Sequence, residues 1–341
     1  MGATLFFIFV MALRWLGCLL ALGNAARDDV TLRVFSSGGG DFSSVQAALD
    51  SLAPGSSPSL GHVTLQLKGT FWERVNVYSN FSWGVDLVPF PSSLPSSRPL
   101  IIFNVSGAGG GGCGGAGGPG TFGSYTLQVN ADNVRMRDFD IANSACAYNH
   151  KAAGQSVALD IRGDRAAFFG MGLFGSQDTL YTGGGAISNY FADLYINGTC
   201  DAIFGSSSAV FERARIFMDF TVTAQRGSGN SSYLFLNSSV DTLSTGPGTL
   251  YLGRPWGSLA KTVFSGCSLG AGVAARGWDD WSHNCSTTEW CNSTFYAEYN
   301  NSGPGWVPSK RPAWTHVLSA SQGAQWTVES VLGAWKPQPP P

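Results

Sequence analysis

A short pattern occurs twice near the middle of the 341-residue chain and carries the residues best suited to chemistry. Gly175-Ser176-Gln177-Asp178-Thr179-Leu180-Tyr181 is followed, 23 residues later, by Gly198-Thr199-Cys200-Asp201-Ala202-Ile203-Phe204. Both read Gly-x-x-Asp-x-(Leu/Ile)-aromatic, and Gln155 precedes Gln177 by 22 residues. A fixed period in this range points to a solenoid. In a parallel β-helix, equivalent residues of successive coils lie one strand spacing apart, about 4.8 Å. Asp178 and Asp201 are then stacked neighbours, with two glutamine amides beside them. Carboxylates this close resist ionising together, so one keeps its proton near neutral pH. Such a pair supplies an acid and a nucleophile from one residue type, and glutamine N–H groups can stabilise an oxyanion. Taken alone, the repeat is equally compatible with a structural turn in which aspartate holds backbone amides.

The elements that must position these residues read as an all-β parallel β-helix with a short N-terminal capping helix. Charged residues form 12% of the chain, about half the usual share, and apolar content of 44% argues against extensive disorder. Net charge is −2, so nothing recommends nucleic acid as a partner. Alternating or short apolar runs place strands at 30–35, 63–67, 127–129, 134–141, 157–161, 166–174, 190–196, 209–217, 233–236 and 249–252. Ser43 to Gln46 has the Ser-x-x-Gln form of a capping box. It opens a short amphipathic helix over 45–52, a lid for the open end of the solenoid. Phe168, Phe169, Phe191 and Phe211 recur about one coil apart and read as an internal stack. The Pro/Ser-rich stretch 89–99 and the glycine tract 107–120 read as solvent loops. In Gly253-Arg254-Pro255-Trp256-Gly257, proline fixes the backbone between a cation and a large aromatic, and arginine can hold a carboxylate with two N–H groups. A surface turn with a packed tryptophan is the alternative.

Residues 1–26 have the composition of a secretory leader, with Arg14 breaking the apolar run and disfavouring an anchor. Residues 27–330 are expected to form the solenoid, and 331–341 a disordered Pro-rich tail. Beyond the leader stand Cys113, Cys146, Cys200, Cys267, Cys285 and Cys291, an even number that permits disulfides. Cys285 to Cys291 is the favoured local bridge. No pair has Cys-x-x-Cys spacing, so no zinc site is expected. Asn-x-Ser/Thr acceptors begin at Asn80, Asn104, Asn197, Asn230, Asn237, Asn284, Asn292 and Asn300, which suits an exported, glycosylated surface.

Taken together, the motifs resemble those of the pectin methylesterases, or pectinesterases. Gly69 to Glu73 is similar to their Gly-x-Tyr-x-Glu, and Gln155 to Leu159 to their Gln-Ala-Val-Ala-Leu. Gly175 to Tyr181 is similar to Gly-Tyr-Gln-Asp-Thr-Leu-Tyr, and Gly198 to Gly205 to Gly-Thr-Val-Asp-Phe-Ile-Phe-Gly. Leu252 to Trp256 reproduces Leu-Gly-Arg-Pro-Trp unchanged, and Glu298 to Gly305 is similar to the C-terminal segment. The likeness runs in order from about residue 34 to 314. It implies a right-handed parallel β-helix that hydrolyses methyl esters of polygalacturonan and releases methanol, with no metal or cofactor. By this resemblance Asp201 is the nucleophile that forms an acyl-enzyme and Asp178 the acid and base. Gln177 and Gln155 are the oxyanion donors, and Arg254 holds Asp201. Trp256, Tyr181, Gln155 and Arg254 line the sugar site. The resemblance also implies a monomer in the cell wall, methyl-esterified pectin as partner, and a proteinaceous pectinesterase inhibitor as a further one. Ser176 and Ala202 depart from the usual Tyr and Phe, and both are expected to remove aromatic surface from the cleft.

Three other readings use the same residues. Two carboxylates about 5 Å apart suit a retaining glycosidase, though a backbone hydrolase needs no oxyanion donors. Gly266-Cys267-Ser268-Leu269-Gly270 with Asp279 and His283 has the order of a serine esterase, but lacks the strand-to-helix context. A non-catalytic pectin-binding wall protein would have no use for the retained Asp, Gln and Arg set.

Overall fold

The computed structural model describes residues 28–52, 60–79, 81, 84–91, 97–108, 118–145, 154–242 and 246–341. The leader, most of the glycine tract, part of the Pro/Ser-rich stretch, and Cys113 and Cys146 lie outside the described residues. The described chain winds as a right-handed parallel β-helix with three parallel sheets of eleven, seven and eight strands, each coil adding one strand to each sheet. The seven-stranded sheet runs Val75–Val77, Leu127–Val129, Leu159–Ile161, Leu180–Tyr181, Ile203–Gly205, Thr221–Gln225 and Tyr251–Gly253. Long helices are absent among the described residues, in keeping with the absence of 3.6-residue periodicity.

One corner of the coil recurs. The residue immediately after seven consecutive strands of the eleven-stranded sheet adopts a left-handed backbone: Asp138, Gly170, Asp193, Arg213, Asn237, Gly266 and Asn300 all have φ between 49° and 67°. Asp, Asn and Gly tolerate this conformation best. Arg213 is the exception, and its guanidinium is held by both carboxylate oxygens of Asp193 at 2.9 Å.

Inside, apolar side chains of successive coils stack. Phe168, Phe191, Phe211, Phe235 and Phe264 form one column, with ring centroids 4.9, 4.7, 4.5 and 4.2 Å apart and near-parallel planes. Phe169, expected in this column, is not part of it. Neighbouring residues on a strand face opposite sides, and Phe169 packs on the outside against Tyr190. We expect Phe211→Ala to cost about 4 kcal/mol, because it opens a cavity in the middle of the column. A shifted denaturant midpoint with an unchanged m-value would report it, and a loss under about 1 kcal/mol would contradict the stacking argument.

The capping helix is Val45–Ser51, with Val45, Ala48 and Leu49 fully buried against the first coils. Its N-cap is Ser44, and no Ser43–Gln46 capping box forms. Glu73 takes that role from a distance: its carboxylate accepts the Val45 and Gln46 amides at 2.7 and 3.1 Å and the Ser44 hydroxyl at 2.6 Å. An acid at a helix N-terminus also complements the helix dipole. The Gly69 to Glu73 stretch contains the strand Thr70–Trp72 and then delivers this carboxylate.

The C-terminal segment departs from expectation. Two short helices, Ala320–Gly323 and Val328–Leu332, each open with a capping box, at Ser319 and Thr327. With Trp326 and Trp335 they cover the apolar outer face of the eleven-stranded sheet. The chain after residue 331 is not a free tail: Arg137 donates to the Pro340 and Pro341 carbonyls at 3.3 and 2.8 Å. Cys285 and Cys291 are bonded to each other, as read from their spacing.

Candidate active site

The repeated motif is two loops stacked on the outer side of the seven-stranded sheet. Leu180 pairs with Ile203 and Tyr181 with Phe204, so this coil is 23 residues long, while its neighbours take 21 and 20. Gln155 and Gln177 are bridged in parallel register. The one-residue slip between that bridge and the Leu159–Leu180 pair is absorbed by a bulge, where the Ala158 and Leu159 amides both donate to the Thr179 carbonyl at 2.8 and 3.2 Å. The motif glycine is needed for contact between coils: a Cβ on Gly198 would lie 2.5 Å from Thr179 Oγ1 and 2.9 Å from the Ser176 carbonyl. Asp178 and Asp201 both have left-handed backbones, φ 63° and 51°. Non-glycine residues in this region cluster at functional sites. The Asp178 amide donates to the Cys200 carbonyl at 3.0 Å, locking one loop onto the next.

The two carboxyl groups are in different electrostatic states. Asp178 is 8% exposed; burial first, and then the charge of Asp201, push its pKa well above the ordinary carboxylate value, with Arg254 opposing. Asp201 is 3% exposed and bound in a fork by Arg254, with Nε to Oδ1 at 2.8 Å and Nη2 to Oδ2 at 2.5 Å. Two parallel N–H···O bonds of this kind are the strongest arginine–carboxylate arrangement. The guanidinium also donates to the Cys200 sulfur at 3.3 Å and lies 3.9 Å from the Trp281 ring centroid. Asp201 and Asp279 together raise the Arg254 pKa against the effect of burial.

Both aspartates open into a cavity of about 240 Å³ lined by Gln155, Gln177, Phe122, Phe204, Trp256 and Trp281. Of the residues singled out from sequence, Asp178, Asp201, Gln155, Gln177 and Trp256 line it directly, and Arg254 backs it through Asp201. Tyr181 lies one step along the cleft, 4.9 Å from Phe204 and 4.9 Å from Phe122 by ring centroid. Phe122, Trp281 and Phe204 were not singled out as site residues. Phe204 ends the repeated motif and so carried a signal. Phe122 follows the glycine tract with no pattern of its own.

Two expectations need correcting. Ala202 is fully buried in the hydrophobic core and Ser176 is 2% exposed. Neither faces the cleft, so their departures alter packing behind the site. The serine-esterase order also dissolves: Ser268 belongs to the strand Ser268–Leu269, with no helix after it, and His283 stacks on Trp290 at 3.5 Å.

Comparison with known proteins agrees with this geometry. The pectinesterase family model matches residues 110–334. The chain is 30% identical over 317 residues to pectinesterase 2 of Olea europaea, covering 89% of this chain and 79% of that one. Among solved structures, the pectin methylesterase of Aspergillus niger superposes with a TM-score of 0.72 at 25% identity, covering 91% of this chain and 95% of that one. A pectin methylesterase solved in complex with a hexasaccharide gives a TM-score of 0.70 at 25% identity, covering 93% and 100%. By its motifs, its coil geometry and these matches, the chain belongs to the pectinesterase family of enzymes.

Proposed function

We propose that the protein removes methyl esters from homogalacturonan by an acyl-enzyme route through Asp201. The observation that carries this reading is the asymmetry of the aspartate pair: one carboxylate forked by Arg254, the other buried and favouring its proton, in a cavity that two glutamine amides share. Asp201 Oδ attacks the ester carbonyl carbon, and Gln177 and Gln155 N–H groups receive the oxyanion. Asp178 gives its proton to the departing methoxide, which leaves as methanol. The Asp178 carboxylate then takes one proton from water as that water attacks the acyl carbon; Asp201 leaves as a carboxylate, and the galacturonic acid formed gives its remaining acidic proton to solvent. Arg254 holds Asp201 in its fork and keeps it aimed, while Trp256 and Tyr181 form sugar-facing walls.

The hexasaccharide bound by a relative supports an extended polysaccharide substrate. On the same reading the protein is exported behind a leader at 1–26, acts as a monomer in the cell wall, and meets pectin and a proteinaceous inhibitor there. Exposed acceptor asparagines at 104, 230, 237, 284, 292 and 300 support glycosylation. The domain division follows, with 27–330 as the solenoid and 331–341 as a Pro-rich extension. The test is methanol release from highly esterified pectin alongside new reducing ends. We expect methanol without chain cleavage; reducing ends without methanol would instead identify a glycosidase using the same two carboxyl groups.

A further inference from the structure

The register that stacks the aspartates also stacks a second group of polar residues, on a different sheet. In the eleven-stranded sheet Val63 pairs with Val85, Asp86 with Arg135, and Arg135 with Ala167. His62, Gly84, Asn133 and Arg165 therefore fall in one column across four coils, where the chain enters those strands. Asn133 and Arg165 both have left-handed backbones, φ 58° and 55°. Gly84 is needed there, because a Cβ would lie 2.3 Å from the His62 ring, which reaches across this coil toward Asp86. The segment carrying Trp335, Lys336 and Gln338 forms the opposite wall, and together they enclose a cavity of about 410 Å³. Small-ligand sites span roughly 300–1,000 Å³.

The charges in this cavity are unequal. Asp86 is fully buried beneath it and accepts Arg135 Nε and Nη2 at 2.8 and 2.7 Å, with His62 Nε2 at 2.7 Å from the same carboxylate. Arg135 is thus compensated and builds the floor. Arg165 is exposed and only loosely paired, 3.5 Å from Asp164, whose other oxygen accepts the Ser188 amide. Lys336 is exposed, and no carboxylate among the described residues pairs with it. No acidic side chain lines the cavity among the described residues. Two cations with spare N–H donors therefore face a space bounded by an indole and by the side-chain amides of Asn133 and Gln338.

That combination matches a sugar carrying a carboxylate. The cations take the anion, the indole offers an apolar face to the ring, and the amides can serve the hydroxyl groups as donor or acceptor. We propose that the cavity is a second carbohydrate site, separate from the aspartate cleft, for a uronate unit of an acidic polysaccharide. A polymer that the cleft has de-esterified would carry such units, so the site would hold the enzyme on its own product. The inference rests on the esterase reading for the identity of that polymer.

The test is calorimetry on the whole chain with a de-esterified oligogalacturonate, and with a neutral galactan oligomer of equal length as control. Wild type should bind the acidic oligomer at this site in addition to any binding in the cleft, and salt should weaken it, since exposed charges are screened within about 8 Å at physiological ionic strength. Lys336→Gln and Arg165→Asn should each weaken binding at the second site about threefold, and the pair about tenfold. Asparagine suits the left-handed position at 165. Trp256→Ala, which strips a wall of the cleft, should leave this site at full affinity. In the double variant, kcat and KM on a short esterified substrate should stay as in wild type while KM on the long polymer rises. Unchanged oligogalacturonate binding in the double variant, or equal binding of the neutral oligomer, would overturn the proposal. A wild type that releases no methanol yet binds the acidic oligomer through Lys336 and Arg165 keeps the site and loses the esterase reading.

Discussion

Asp201→Asn should reduce the rate of methanol release roughly 10⁴- to 10⁶-fold, the range seen when an essential member of a catalytic constellation is removed. The amide is nearly the same size and can stay in the left-handed turn, since asparagine tolerates φ near 50° as well as aspartate does. What disappears is the anion. The amide oxygen is a poor nucleophile, and Arg254 loses the charge that its fork grips at 2.8 and 2.5 Å. A half-buried guanidinium without its partner is costly, by up to about 3 kcal/mol, so folded content must be checked by circular dichroism alongside activity. Arg254→Gln gives the complementary case: Asp201 remains but loses its fork. A smaller loss is expected there, because the nucleophile is misaligned but still present. Retention of more than about one per cent of turnover in a folded Asp201→Asn variant would remove Asp201 from the covalent role.

The aspartate pair was legible before any coordinates because a solenoid turns sequence period into spatial contact. Residues 23 apart become neighbours once Leu180 pairs with Ile203. The same rule made the phenylalanine column visible and then misled it at Phe169, where strand alternation outranks the recurrence of residue type. Ala202 failed differently: it lies between Asp201 and the strand Ile203–Gly205, and both it and Ile203 are in the core. Reading the motif as a single unit hid the fact that its residues face both ways.

What stayed hidden depended on contacts without a period. Trp281 was one of several tryptophans after Trp256, and nothing in their spacing says which one lies on Arg254. The structure separates them: Trp278 is buried and donates to Glu298, Trp290 stacks on His283, and Trp306 lies under Arg311. The C-terminal helices are only four and five residues long, too short to write a helical pattern, and packing on the sheet is what sustains them. Glu73 was visible as a motif residue, but its work at the capping helix requires the first coil to bring residue 73 beneath residue 45.

Asp178→Asn should cost roughly 10²- to 10⁴-fold in methanol release, the usual contribution of a positioned acid or base, and it should also change the shape of the pH profile. The wild-type reaction needs Asp178 protonated when methoxide leaves. Burial and the neighbouring Asp201 raise the Asp178 pKa well above the usual carboxylate value. Activity should therefore fall as pH rises through that raised value, and the limb should vanish from the residual activity of the asparagine variant. Stability carries the same sign. A carboxyl group whose folded pKa is raised contributes stability fully present below its unfolded value, about 3.9, and lost as pH rises through the folded one. Wild type should lose stability across that interval relative to Asp178→Asn, which has nothing there to ionise. The two readouts together separate a proton donor from a spacer. A variant that lost activity but kept the wild-type alkaline limb would assign that limb to another group and leave Asp178 with a positional role only.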